Sequence, residues 1–435
     1  MTDVDLIISN ADHVLVCDAD GRGIRGASVA VHGGRIVDVG PAEDVERRVR
    51  ARETLDARGH ILMPGLVNLH THLPMTLLRG IAEDVDLQGF LALVWAEEAR
   101  VMGPAGTADG ARLGALEALL GGTTTALDMY FHPEAAHRAA VEVGLRHVIG
   151  PVFFSFPGPD NLTWPERMDL LASWPATLAA IGGPYVPLAL MPHAPVTVGS
   201  AYLRELAQAA AAGGYLVHTH ASENAEENDR TEAAEGRRPV QVLEDSGVLA
   251  LRPVLAHGVR ITDDERRLLA ARGASIAHCP ASNLKLASGA ADLVAMRAEG
   301  IGVGLGTDGC ASSNDLDMFA VMRQASNLAR LVHHDPAAIS SRDVLLCATV
   351  GGARALGMAD RIGTVSAGME ADLVLVDTAV PHLTPVREPY AAIVYSAGRS
   401  DVRHVLVAGE LVVRDREPTR VRTGDVIDSA RARLR

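Results

Sequence analysis

Eight times along the chain, a short run of β-branched and aliphatic residues closes on polar ones and gives way to a stretch of helical character. The runs are Ile61 to His72, Thr123 to Tyr130, Arg146 to Phe154, Val186 to Pro195, Tyr215 to Glu223, Pro253 to Gly258, Ser275 to Asn283 and Ile301 to Gly309. Between them lie alanine-, leucine- and arginine-rich segments such as Ala111 to Leu120, Pro133 to Val143, Tyr202 to Ala212 and Asp263 to Arg272. Eight parallel strands with right-handed helical crossovers close into an α/β architecture, the (β/α)8 TIM barrel, whose chemistry sits at the C-terminal ends of the strands.

Those ends carry the unusual residues. Strand one ends in His70-Thr71-His72, strand four in His193, strand five in His218-Thr219-His220 with Glu223 just beyond, strand six in His257, and strand eight in Thr307-Asp308-Gly309. A random scatter of the chain's 17 histidines would not favour these positions. Residues i and i+2 of a strand face the same side, so His70 and His72 can converge on one cation. His70, His72, His220 and Asp308 are the expected ligands of one divalent metal ion per subunit. Nitrogen and carboxylate donors without thiolate suit Zn2+, and Fe2+ or Mn2+ accept the same set. The only lysine, Lys285, falls past the seventh strand, so no carboxylated lysine is available to bridge a second ion. Regular alternation turns His218 inward beside His220, as a pocket residue rather than a ligand. His278 and Asn283 are expected to brace strand seven.

A plain barrel needs roughly 250 residues, and the excess in this 435-residue chain lies at both ends. Short alternating stretches run from Asp5 to Ile8, Val14 to Cys17, Ser28 to His32 and Arg35 to Val39. They recur from Asp372 to Val376, Ile393 to Tyr395, His404 to Val407 and Leu411 to Val413. The two termini, 1–59 and 363–435, are therefore expected to form one small composite β-sandwich of antiparallel strands beside a barrel of residues 60–362. A net charge of −14 without a block of like charge excludes a nucleic-acid surface and leaves a small molecule as the expected partner. Cys17, Cys279, Cys310 and Cys347 show no framework spacing, which fits a reducing compartment. With neither a basic, apolar leader nor an apolar run of about 18 residues, no membrane contact is indicated, and a cytoplasmic homo-oligomer is expected.

The residues also resemble a known family. Pro64 to His72, the His220 to Glu223 pair, Ala256-His257-Gly258, His278 to Asn283 and Gly306-Thr307-Asp308-Gly309 are similar to the amidohydrolase superfamily along nearly the whole chain. Within it, Leu73 to Gly80 and Ser313 to Met318 resemble the 5′-methylthioadenosine/S-adenosylhomocysteine deaminase branch, although chloro-s-triazine hydrolases share much of that second set. The branch implies substrate contacts by an aromatic and a glutamate after strand one, an arginine after strand two and a histidine on strand four. The matching positions are Phe90, Glu98, Arg146 and His193. Phe90 stands where the branch has a tryptophan, and Val152 to Pro157 offers no counterpart to a further arginine after strand three.

The expected reaction is attack by a metal-activated water on an electron-poor ring carbon bearing an amino group, most simply C6 of the adenine of a 5′-modified adenosine. Triazines, pterins and pyrimidines are the alternative rings. Asp308 is placed to take the first proton, Glu223 to protonate the neighbouring ring nitrogen and help deliver a proton to departing ammonia, and His257 to hydrogen-bond the attacking oxygen. Glu223 opens an acidic stretch in which Glu226 and Glu227 are expected on an outer helical face. Trp95 reads as an aromatic packed over the barrel top.

Overall fold

The computed structural model describes residues 1–85 and 87–434. Eight parallel strand positions close a barrel, but two of them break, and the breaks are what close it. Leu66–His72 pairs with Thr123–Asp128 and with Asp308–Gly309, and Thr123–Asp128 pairs with Arg146–Val148. The other arc runs from Val152–Phe153 through Ala189–Pro192, Leu216–Ala221, Val254–His257 and Ser275–His278 to Gly302–Leu305. The third strand thus serves one neighbour before Gly150 and the other after it, and the eighth does the same around Gly306. Both glycines are there for close approach: a Cβ on Gly150 would lie 1.8 Å from the Ala189 carbonyl oxygen, and one on Gly306 2.9 Å from that of His70.

The helices between strands start and stop where local chemistry dictates. Asp263–Arg272 opens with the Thr262/Glu265 capping box and ends at Gly273 in the left-handed region, whereas Pro104–Leu120 and Pro133–Val143 each begin on proline. All four segments expected to be helical are helical: Pro133–Val143 and Asp263–Arg272 keep the expected ends, and the other two extend to Pro104–Leu120 and Ser200–Gly213.

Both termini join one nine-stranded sheet. Thr2–Leu15 lies at its centre, antiparallel to Gly23–His32 but parallel to Val49–Asp56 through its first half and to His60–Pro64 through its second. The expected antiparallel pattern therefore holds only in part. Leu6, Ile8, Val29 and Leu62 share a buried core with Leu373 and Leu375, so the early and late strands shield one apolar interior. The single strand expected over Ile61 to His72 is divided at Gly65, whose N–H donates to the Asp372 carbonyl at 2.8 Å. His60–Pro64 pairs with Leu373–Asp377 in the terminal sheet, and Leu66–His72 enters the barrel. Ile393 to Tyr395, expected as a strand, lies in the π-helical turn Ala392–Ser396. Among the described residues no helix is long and apolar enough to cross a membrane.

Candidate active site

His70 and His72 emerge on one side of strand one as alternation requires, and their Nε2 atoms lie 3.3 and 3.2 Å from the same oxygen, Oδ1 of Asp308. Backbone carbonyls set the ring tautomers. Nδ1–H of His72 donates to the Met129 carbonyl (2.6 Å), and that of His220 to the His193 carbonyl (2.7 Å). His218 donates through Nδ1–H to the Val254 carbonyl (2.9 Å), which leaves its Nε2 to accept from Nδ1–H of His70 (2.8 Å). Each of His70, His72 and His220 is thereby left with a bare Nε2 lone pair.

Ligand atoms of His70, His72 and His220 lie within 4.8 Å of one another, as do those of His70, His257 and Asp308. Two lone pairs facing one carboxylate oxygen repel unless positive charge lies between them, and Nε2 of His70 is buried without a hydrogen bond. Burial lowers both rings: at His72 the Asp308 carboxylate outweighs it and pushes the pKa up to about 9, whereas at His70 burial prevails and takes it down to about 4. The donor set fits a divalent cation held by His70, His72, His220 and Asp308.

Asp308 is fixed by its neighbours: Oδ1 accepts from the Gly309 N–H (2.8 Å) and Oδ2 from the Ser312 hydroxyl (2.7 Å). Its φ of 61°, with 74° at His257 and 53° at Ser222, puts three non-glycine residues of the site in the left-handed region. Backbone strain of this kind is held only where the surroundings over-determine it. His257 directs Nδ1–H to Oδ1 of Asn283 (2.9 Å), so its Nε2 is an acceptor facing Oε2 of Glu223 at 3.8 Å. Asn283, expected to brace strand seven, therefore orients His257. Burial raises the Glu223 pKa and favours the protonated acid.

A cavity of about 330 Å³ opens beside these groups. Phe131 stacks on Phe154 (5.9 Å between centroids, 20°), Phe154 on His193 (4.6 Å, 27°), and Trp95 meets Phe154 edge-on at 6.3 Å. Phe90 lines the same cavity. Glu98 is buried in this wall and accepts from the Tyr130 hydroxyl at 2.7 Å, and burial pushes its pKa up to about 7.

The structure thus brings together His70, His72, His220, Asp308, Glu223, His257, His193, Glu98 and Phe90. Arg146 is the exception. It opens strand three at the end away from the cavity, fully buried, with its guanidinium donating to Asp372 (3.2 and 2.9 Å), Glu370 (2.7 Å) and the Tyr185 carbonyl (2.8 Å). A guanidinium so occupied ties the barrel to the terminal sheet and does not reach a substrate. Glu227 departs from expectation in the opposite sense: it does not lie on an outer helical face but is buried and lines the cavity. Trp95 also lines the cavity instead of merely covering it, and Tyr130, Phe131, Phe154 and Arg230 join it without having been singled out. Tyr130, Phe131 and Phe154 shared one signal, a position within a few residues of a strand's C-terminal end, whereas Arg230 lies within the helix Ala225–Glu235.

Residues 61–412 match the amidohydrolase family, and the chain, with its barrel and its cluster of histidines and aspartate, belongs to that family of metal-dependent hydrolases. It is 39% identical over 438 residues to the 5-methylthioadenosine/S-adenosylhomocysteine deaminase of Syntrophobacter fumaroxidans, covering 98% of this chain and 97% of that one. The 5′-deoxyadenosine deaminase of Methanothermobacter thermautotrophicus is also 39% identical, over 92% of each chain. Among solved structures, an adenosine deaminase from Xanthomonas campestris with bound zinc superposes with a TM-score of 0.95 at 37% identity, over 100% of this chain and 98% of that one.

Proposed function

We propose that the protein is a zinc-dependent deaminase of the adenine moiety of 5′-modified adenosines, releasing ammonia and leaving the inosine analogue. The observation that carries this reading is that, of the buried acids lining one cavity, two stand at opposite tasks. Glu223 sits beside the ligand cluster, where a ring nitrogen needs a proton. Glu98 sits in the aromatic wall with the Tyr130 hydroxyl, where sugar hydroxyls need an acceptor. The deaminases named above support it, since all act on adenosine or its 5′-derivatives by name.

A divalent ion, when bound, supplies a water whose pKa is lowered to near 7 and a Lewis acid for the developing charge. The chain does the rest. Nε2 of His257, with Nδ1–H committed to Asn283, accepts a hydrogen bond from the attacking water and aims its oxygen at C6. Asp308 takes a proton from that water, and Glu223, whose burial favours the protonated acid, gives one to N1. As the C–N bond breaks, Asp308 passes its proton to the amino group and Glu223 recovers one from the C6 hydroxyl, so water and the aminopurine balance ammonia and the oxopurine. His193, with its Nδ1 tied to the Thr197 hydroxyl (3.0 Å) and its face on Phe154, offers Nε2 to the purine edge.

The test is a panel of 5′-methylthioadenosine, S-adenosylhomocysteine, 5′-deoxyadenosine, adenosine and chloro- and amino-s-triazines, incubated with zinc-loaded protein. Ammonia and the ultraviolet shift from adenine to hypoxanthine are expected from the nucleosides. Turnover of triazines alone would overturn the reading in favour of another N-heterocycle.

A further inference from the structure

The buried carboxylate of Glu227 has no part in the chemistry above, yet it touches the residue that does. Its Oε2 accepts the backbone N–H of Glu223 at 2.6 Å and its Oε1 that of Ser222 at 3.2 Å. Glu227 occupies the third position of helix Ala225–Glu235, whose N-cap, Asn224, accepts the Glu227 N–H at 2.8 Å. In an ordinary capping box the glutamate at this position reaches back to the N–H of the cap itself. Here it overshoots the cap and grips the two residues before it.

Those two residues need gripping. Ser222 is in the left-handed region at φ 53°, a conformation that a serine holds only when its surroundings insist. The turn through Ser222 decides where the Glu223 side chain leaves the backbone after strand five. Its N–H groups lie in a buried setting where an unpaired donor is costly. One carboxylate satisfies both donors, sits at a helix N-terminus where negative charge is favoured, and is only 7% exposed, so water has little access to replace it.

We infer that Glu227 is a positioning residue for the proton donor: it fixes the strained Ser222–Glu223 backbone so that the Glu223 carboxyl meets the ring nitrogen. The inference rests on the role proposed for Glu223 and extends it by one residue. Gln is not a neutral replacement, because its amide NH2 would face one of the two backbone donors, while Ala removes both acceptors.

The test is a double-mutant cycle on the zinc-loaded enzyme with Glu227→Gln, Glu227→Ala, Glu223→Gln and the combination of Glu223→Gln with Glu227→Ala. Misplacing a reacting group by about 1 Å costs up to ~10²-fold. Each Glu227 variant is therefore expected to lower kcat by at least ~10-fold with KM for the nucleoside changed by less than about 3-fold. Metal content should match wild type. In the Glu223→Gln background, Glu227→Ala should cost less than about 2-fold more, because a positioner has nothing left to position. Losses that multiply in the double variant, a kcat equal to wild type in both single variants, or a fall in activity matched by loss of metal would each overturn the inference. If instead Glu223→Gln alone turns over normally, the proposed role of Glu223 fails first, and the cycle reports that separately.

Discussion

Replacing Arg146 by Met separates two accounts of one residue. Family resemblance places it near the substrate, whereas the structure buries it completely between Asp372, Glu370 and the Tyr185 carbonyl. Met fills much of the same volume but leaves two buried carboxylates short of a partner. Asp372 keeps the Ala408 N–H at 2.7 Å, and Glu370 keeps Arg361, so neither is stranded entirely. Removing one partner of a buried ion pair typically costs about 3–5 kcal/mol. With an unfolding entropy of about 2.1 cal/mol/K per residue, a chain of 435 residues gives roughly 0.9 kcal/mol/K, so Tm should fall by ~3–6 °C. Thermal and guanidinium unfolding measure that loss, while nucleoside turnover at 25 °C should keep kcat and KM within about 2-fold of wild type. An unchanged Tm with a raised KM would refute the structural reasoning and return Arg146 to the substrate.

Glu223→Gln should retain wild-type metal while turnover falls by ~10²-fold or more, read from metal analysis beside ammonia release; normal turnover would remove Glu223 from the mechanism. Asp308→Ala should lose both metal and activity, and full activity with metal bound would contradict its assignment as a ligand. Burial pushes Glu98 up to about 7, so KM for nucleosides should rise as pH falls through 7 and the carboxylate is neutralised. Glu98→Gln should flatten that pH dependence, and an unaltered profile would dismiss the group. The same shift has a stability consequence. Folding favours the neutral acid, so its contribution is complete below the unfolded value near 4.5 and is lost as pH rises through about 7, which denaturant titrations at several pH values can follow.

The clustering of the histidines and Asp308 at one barrel mouth was legible because two local rules suffice: alternation along a strand, and the placing of barrel chemistry at strand ends. His70, His72, His220, His257 and Asp308 needed no knowledge of distant contacts. Arg146 failed for the converse reason. It opens its strand and therefore points to the other end of the barrel, and its partners Asp372 and Glu370 lie more than two hundred residues away in sequence. Glu227 sits in an acidic run that resembles a solvated face, and only the Asn224-Ala225-Glu226-Glu227 cap pattern hinted that one acid turns inward. Gly65 looked like part of a strand because apolar residues continue across it. The hand-over between two sheets depends on the Asp372 carbonyl, which no local pattern contains.

The strand His60–Pro64 lies between Thr2–Leu15 on one side and Leu373–Asp377 on the other. One flank is covered by Thr2–Leu15, which is made earlier, but the second stays bare until Leu373–Asp377 has been made, about three hundred residues later. At about 5–20 residues per second that is a wait of roughly 15–60 s, with Ile61, Leu62 and Met63 on an open edge of the kind that templates aggregation. A translation product that ends before Leu373 keeps that margin unpaired for good, so the late strands decide whether the early edge is ever closed.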